Sequence, residues 1–449
     1  MDRESSGRKV GNEVKEDRIS GLSDSILCHI LSFLPTKYAV ATSILSSRWK
    51  LVWTSIANFD FDDRLCLEYS RTEDLTNDAS TKFENFVNRV LVLSNSVNIN
   101  KFTLTCCKLR YPACLNSWLF TAIMRNVREI QLDLYDVELP ECLCTCKTLE
   151  VLSLRSIFVI KIPSSGMCFP SVKILFVELL SPKNSVTEKL FSSCPVLEEL
   201  TIIAHFDCHD PVTNFLILSS TLKTLTIGIN VQGSIYNRHN FMISAPNLKC
   251  LYIQDDTLLS YTVDELHPSC EVMIDIFRKG LEYFSTPNIQ QFLRGVGKTK
   301  ILDLSANTMM ALEIILTKDW PTFPSVTLLE VDVGSSLWRL LLVLLDRFPN
   351  LEVFIFQKEL REPAILEHGL YRPLCVPSCL LSNVKNIEMC KFTGEKEELD
   401  LIEYCLKNGE VLETMRVVSG KMTLQKKLKL CQKLLSLERG SKTCKIEFL

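Results

Sequence analysis

Between Asp24 and Trp53 the chain reads DSILCHILSFLPTKYAVATSILSSRWKLVW, and its apolar residues recur at three- and four-residue steps. Ile26, Leu27, Ile30, Leu31 and Leu34 fall on one face of a helix. Ser23 or Asp24 stands where a cap is needed, and Pro35, which has no N–H, ends the helix. A second helix puts Val40, Ile44 and Leu51 near one face and Leu45, Trp49 and Trp53 along another. About ten such side chains, fully buried, contribute roughly 15–30 kcal/mol at about 1.5–3 each. Ordering about thirty residues costs roughly 30–60 kcal/mol in backbone entropy. Apolar stripes pointing several ways on so small a unit predict that some stay outward until a partner covers them.

A different pattern fills the middle of the chain. The phrase apolar-x-x-apolar-x-apolar returns as VREIQL (127–132), LEVLSL (149–154), VKILFV (172–177), LEELTI (197–202), LKTLTI (222–227) and LKCLYI (248–253). It resumes as TKILDL (299–304), VTLLEV (326–331), LEVFIF (351–356) and VKNIEM (384–389), with a looser early copy, INKFTL (99–104), and a degraded one near EVMIDI (271–276). Short leads with a proline, such as FPS (169–171) and SCP (193–195), precede many copies. The alternating end of each phrase predicts a short strand with one face inward. A unit of about 25 residues cannot bury that face alone, so copies must stack and share a core. The expected result is a parallel sheet roughly 50 Å long whose concave face suits protein recognition. No single polar residue on that face stands out as specific.

The flanks differ. NFDFDDRLCLEYSRTEDLTNDAS (58–80) is acidic and rich in turn formers and reads as a linker. FENFVNRVLVL (83–93) gives Phe83, Phe86, Val87, Val90 and Leu91 a helical period and would cap the start of the array. After residue 376 a strand (384–390) precedes an acidic-started helix carrying Leu399, Ile402 and Leu406, which Gly409 ends. LETMRVV returns as a strand. A second helix with Leu428, Cys431, Leu434 and Leu435 stops at Gly440, and CKIEFL (444–449) closes the chain as a strand.

Residues 24–53 carry a more specific signal. Together with what precedes them, DRISGLSDSILCHILSFLPTKYAVATSILSSRWKLVW resembles a plant F-box in Leu22-Ser23, the Ile26–Pro35 helix, the Val40–Trp49 segment and Trp53. It departs from that pattern at Ser23 (usually Pro), Tyr38 (usually acidic) and Ala41 (usually Arg). The resemblance implies docking on a Skp-type adaptor and, through it, a cullin, with Leu22, Ile26, Ile30, Leu31, Leu34, Pro35, Val40, Leu45, Trp49 and Trp53 as contacts. The repeats resemble an irregular plant leucine-rich-repeat solenoid, and the C-terminal strand–helix order resembles the FBD domain of plant F-box proteins. The expected fold is therefore α/β: a small helical F-box, a solenoid of parallel strands with helices and turns, and an α+β FBD-type cap. The expected segments are a disordered 1–16, an F-box over 17–57, a linker over 58–82, the solenoid over 83–370 and the FBD-type domain over 371–449.

Composition and charge narrow the function without naming it. Net charge is −3, from 50 basic and 53 acidic residues without like-charge blocks, so nothing points to nucleic acid. The longest aliphatic run, Leu340–Leu345, is too short for a bilayer. The 19 cysteines follow a polar, unsignal-like start and fit reduced thiols in the cytoplasm or nucleus. GVGKT (295–299) lacks the glycine a phosphate loop needs at position 292, which is Phe. His205, Cys208 and His209 lie close in sequence, but they follow a strand, and a turn suits them better than a metal-binding helix. CLCTC (142–146) lacks zinc-type C-x-x-C pairs, so its thiols read as small buried hydrophobes. No catalytic residue, cofactor or metal is assigned. The leading expectation is a non-catalytic, substrate-recruiting subunit of a ubiquitin ligase with an unknown target on the solenoid. A small-molecule receptor, a non-degradative scaffold and a hydrolase using His205 and Cys208 stand as alternatives.

Overall fold

The computed structural model describes residue 19 and residues 21–65, 73–107, 111–135, 137–156, 158–160, 168–188, 190–207, 209–231, 239–255, 260–276, 286–315, 321–333, 338–358 and 375–449. The segment 1–16 expected to be disordered lies outside the described residues. The chain divides into two compact units, 1–128 and 129–449.

The first unit runs α1 (Asp24–Leu31), α2 (Thr36–Ala41), β1 (Asn58–Asp62), α3 (Glu73–Leu93), β2 (Lys101–Cys106) and α4 (Pro112–Met124). Ser23 sits at the N-cap of α1 but gives no side-chain cap; its hydroxyl lies 2.9 Å from that of Ser25. Pro35 stands beyond the end of α1 and becomes the N-cap residue of α2. The second helix is shorter than its periodicity suggested. It gives way to 3-10 turns at Thr42–Ile44 and Val52–Ser55, so Leu45, Trp49 and Trp53 do not share a helical stripe. The stretch expected as a linker opens instead with a strand. Asn58–Asp62 pairs in parallel with Lys101–Thr105 of β2, and the Asp60 amide donates to Thr36 Oγ1 at 2.7 Å, which ties α2 to the strand. The reason is in IANFDF: Ile56, Phe59 and Phe61 are buried, at the spacing of the phrase that repeats downstream. Helix α3 begins at Glu73, within the same expected linker, and buries Phe83, Val87, Val90 and Leu91.

The strands of the second unit are β3 (Glu129–Leu134), β4 (Val137–Leu139), β5 (Val151–Ser156), β6 (Phe158–Ile160), β7 (Ile174–Leu180), β8 (Glu199–Phe206), β9 (Thr213–Leu218), β10 (Thr224–Val231), β11 (His239–Ala245), β12 (Cys250–Asp255) and β13 (Tyr261–Leu266). They continue as β14 (Glu271–Ile276), β15 (Ile301–Leu304), β16 (Leu328–Val333), β17 (Val353–Lys358), β18 (Asn386–Phe392), β19 (Thr414–Ser419) and β20 (Lys445–Phe448). Between them lie α5 (Glu141–Cys144), α6 (Asn184–Thr187), α7 (Thr286–Val296), α8 (Ala306–Ile315), α9 (Trp338–Leu345), α10 (Ser378–Ser382), α11 (Lys396–Asn408) and α12 (Leu424–Leu435). The main sheet runs β3-β5-β7-β8-β10-β12-β14-β15-β16-β17-β18-β19-β20, and every pair in it is parallel.

Each repeated phrase supplies one strand of this sheet. In LEVLSL, Leu149, Leu152 and Leu154 are buried; in LKTLTI, Leu222, Leu225 and Ile227; in LEVFIF, Leu351, Phe354 and Phe356. The apolar ends of successive phrases meet in register, as with Leu200, Leu225 and Leu251. The prolines of the leads follow buried residues: Phe323 and Phe348 stack 4.7 Å apart. EVMIDI forms β14. The C-terminal part extends the same sheet, since β17 pairs with β18 and β18 with β19. Gly409 is the C-cap residue of α11, but α12 stops at Leu435, short of Gly440. It buries Leu434 and leaves Leu428 and Leu435 exposed.

A second, three-stranded parallel sheet, β13-β11-β9, has no counterpart among the sequence expectations. Phe215, Phe241 and Tyr261 occupy one register position and stack at 4.4 and 5.0 Å. Behind them lies a buried polar cluster: Asp255 Oδ2 accepts from Tyr261 Oη at 2.7 Å and lies 2.8 Å from His239 Nε2. Burial and the Asp255 carboxylate raise the Tyr261 phenol well above its usual range.

Candidate functional site: an apolar helical surface and an open strand face

The helical surface is built on α1. Leu27 and Leu31 point inward and are buried. Their partners include the Trp49–Ile56 segment, where Trp49, Val52, Trp53 and Ile56 are buried as well. Two contacts fasten that segment to α1. The Arg48 guanidinium donates to Asp24 Oδ1 from Nε at 3.1 Å and from Nη2 at 2.8 Å, and Cys28 Sγ donates to the Val52 carbonyl at 3.4 Å. Both groups of the ion pair are well exposed, so it orients the segment and adds about 0–1 kcal/mol.

With its own core filled, this unit leaves a row of large apolar side chains in solvent. Of the residues expected as adaptor contacts, Ile26 is 46% exposed, Ile30 43%, Leu34 37% and Leu45 64%. Leu22, Pro35 and Val40 are half-buried. Leu31, Trp49 and Trp53 are not on the surface; at 1%, 7% and 7% exposure they belong to the unit's own core. The expectation took them as contacts from the position-by-position resemblance; Leu31 lies on the inner side of α1, and Trp49 and Trp53 lie where 3-10 turns break the helical period. Sequence reasoning missed Phe33, exposed at 75%, and passed over Ile44 at 86% and Leu51 at 66% as contacts. The available signal was that Phe33 falls off the helical stripe just before a proline.

The second surface is the face of the main sheet opposite its core. Strands there alternate buried and half-exposed residues, so every other side chain of each strand lines one open face. Its charge varies along the array. Over β5–β8, Arg155 sits 5.0 Å over the Phe176 ring, and His205 Nε2 lies 3.2 Å from Glu178 Oε1. The middle is acidic: Asp275, Asp303, Glu330, Asp332 and Glu388 share the face, and Asp303 stands directly opposite Glu330. Farther on, Arg416 bridges Glu388 and Glu447, each at 3.0 Å.

Burial, with Glu330 and Asp332 next in weight, pushes the Asp303 carboxyl up to about 7. Its folded value lies above its unfolded one, so the native state holds the proton longer and stability falls as pH rises from about 4 to about 7. Asp303→Asn is therefore expected to match the parent near pH 4. It should become about 1–2 kcal/mol more stable above pH 7, after allowance for the solvent this group still sees. Urea unfolding at the two pH values measures the difference.

Other candidate chemistry does not assemble. His205 lies in β8, and Cys208 is outside the described residues. No group of three potential metal ligands occurs among the described residues. Gly295 of GVGKT lies in α7, where a Cβ would come 2.9 Å from the Val263 carbonyl; the glycine serves close packing of α7 on β13. In CLCTC, Cys144 and Cys146 are buried and Cys142 half-buried. Burial pushes the nearby Cys194 thiol up to about 12, which makes it a poor nucleophile. No helix among the described residues is long and apolar enough to cross a membrane.

Comparison with known proteins places names on the same segments. Residues 19–61 match the F-box domain family. Residues 115–355 match the family described as FBD-associated F-box protein At5g56370, LRR repeats, and residues 372–417 match the FBD family. Among similar Arabidopsis thaliana proteins, FBD-associated F-box protein At3g50710 is 30% identical over 420 residues, 89% of this chain and 91% of that one. FBD-associated F-box protein At5g22730 is 28% identical over 96% of this chain and 94% of its own length. F-box/FBD/LRR-repeat protein At3g52680 is 28% identical over 96% and 93%.

Proposed function

The chain belongs to the FBD-associated F-box proteins with leucine-rich repeats, and from that premise we propose that it is the substrate-recognition subunit of a Skp-cullin-F-box ubiquitin ligase. The observation that carries this reading is the exposed row Ile26, Ile30, Leu34 and Leu45, flanked by Phe33 and Ile44, on a unit whose core is already filled. Water-exposed apolar surface of this kind is stabilised by a partner's apolar groove. The partner in this reading is a Skp-type adaptor, which brings the cullin. Leu31, Trp49 and Trp53 hold the ridge in shape and do not touch the adaptor.

The target binds the open strand face. The acidic middle strands, with Asp303 and Glu330 opposed, favour a target segment carrying Lys or Arg, because a cation relieves like-charge crowding that otherwise costs stability. Catalysis by this chain is not required. Holding a target lysine beside a ubiquitin-charged enzyme raises its effective concentration, and proximity drives transfer. The thiols of the described residues are unbridged and largely buried, and such thiols suit a reducing compartment, cytoplasm or nucleus.

Proximity labelling in plant cells under proteasome inhibition tests the whole reading. The parent chain should label adaptor, cullin and a target set. Ile26→Asp should lose adaptor and cullin and keep the targets. A parent chain that labels neither adaptor nor cullin contradicts the proposal.

A further inference from the structure

The last helix and strand of the sheet leave an apolar face that the reading above does not use. On α12, Leu430 and Leu434 are buried, whereas Leu424, Leu428 and Leu435 are exposed and Cys431 is half-buried. At about 3.6 residues per turn, residues 424, 428, 431 and 435 form one narrow stripe roughly a quarter-turn from the buried pair. Its direction follows from three contacts. Leu430 packs where Gly394, at the start of α11, would carry a Cβ. One step round the helix, Lys427 lies 5.6 Å over the Phe448 ring of β20. The leucine stripe comes next, past the last strand, where another repeat would pack. Strand β20 pairs with β19 on one side and with nothing on the other among the described residues.

We propose that this end of the sheet docks on the same end of a second copy of the chain, β20 antiparallel to β20 about a two-fold axis at Ile446, with the two α12 stripes face to face. The charge pattern selects that occupant. Lys445, Ile446, Glu447 and Phe448 alternate across the strand, with Lys445 and Glu447 exposed. With Ile446 opposite its own copy, Lys445 falls opposite Glu447 of the partner subunit and Glu447 opposite the second lysine, so both charged pairs are of opposite sign. Ile446 meets its twin on the inner face. A two-fold interface must be self-complementary, and this strand is so in that one register. Opposite charges directly across an antiparallel pair favour the pairing. The arrangement extends two parallel arrays through one antiparallel junction and satisfies an edge that would otherwise invite uncontrolled pairing. It also joins two target faces in one assembly, which raises avidity for a target with two binding segments.

Sedimentation equilibrium of the full chain, bound to its adaptor and alone, tests the proposal independently of the ligase reading. A dimer is expected at a chain concentration of about 50 µM, set high because small interfaces are the weak ones. Lys445→Glu should weaken it about tenfold or more, and Leu428→Glu with Leu435→Glu should abolish it. Lys445→Glu combined with Glu447→Lys, in a chain that also carries Arg416→Gln because Arg416 holds Glu447 at 3.0 Å and would repel the new lysine, should restore it, because the pairs then reform with signs exchanged. These positions are exposed, so circular dichroism should match the parent throughout. A parent chain monomeric at that concentration overturns the proposal. So does a dimer unaffected by the leucine changes, or a charge swap that fails to rescue in a natively folded chain.

Discussion

Replacing Ile30 and Leu34 with aspartate should weaken adaptor binding at least about a hundredfold and leave the thermal midpoint of the free chain nearly unchanged. Ile30 is 43% and Leu34 37% exposed, so of the about 1.5–3 kcal/mol for full burial roughly 0.6–1.2 remains to be gained at each in an apolar groove. Losing both is worth about 1–2.5 kcal/mol, or one to two decades in affinity. Burying a new carboxylate adds to the loss. Stability should hold because both residues already face solvent in the free chain. Leu27→Asp, one turn away and buried, supplies the contrast: it should unfold the first unit and abolish binding for a different reason. Calorimetric titration with a Skp-type adaptor, paired with thermal melts, separates the two. Equal destabilisation by Ile30→Asp and Leu27→Asp would mean that the exposed row is part of the core.

The second large effect lies at the other end of the chain. Glu398 is buried, and its carboxylate accepts from the backbone amides of Thr393, Gly394 and Glu395 at 3.1, 2.6 and 2.8 Å and from the Thr393 hydroxyl at 3.0 Å. It closes a capping box at the start of α11, with Glu395 as the N-cap residue. Glu398→Ala strands several buried donors at once. A lost cap alone costs about 1 kcal/mol, and each unsatisfied buried donor about 1–3 more. The expected loss is about 3–5 kcal/mol in urea unfolding, with Glu398→Gln intermediate. Gly394 belongs to the same structure. Its φ is +81°, and an added Cβ would come 2.5 Å from Leu430 Cδ1, so Gly394→Ala should cost about 1–3 kcal/mol by strain. A loss below about 1 kcal/mol for Glu398→Ala would show that solvent replaces the carboxylate freely.

The repeats were legible because the phrase reports burial directly. Its first, fourth and sixth positions are the residues that face the core, and the strand begins near its third. The same rule would have found β1 in IANFDF, but the acidic residues after it masked the strand as a linker. The three-stranded sheet escaped for a different reason. FLI (215–217), FMI (241–243) and YTV (261–263) are too short to announce strands singly, and their common signal is an aromatic at one register, which only three-dimensional stacking reveals. In the helical surface α1 formed where its period put it, but the five residues read as one face divide, Leu27 and Leu31 inward and Ile26, Ile30 and Leu34 outward, and 3-10 turns broke the period after Ala41, where Trp49 and Trp53 are buried. The acidic cluster on the open face was invisible because Asp275, Asp303 and Glu330 lie on different repeats, 28 and 27 residues apart in sequence.

The most direct test of the central claim is hydrogen exchange of the full chain with and without a Skp-type adaptor. Covering the row from Ile26 to Leu45 should slow exchange of peptides spanning 24–47 and leave peptides from β14 to β17 unchanged. Unchanged exchange over 24–47 at saturating adaptor, or protection confined to the repeats, would contradict it.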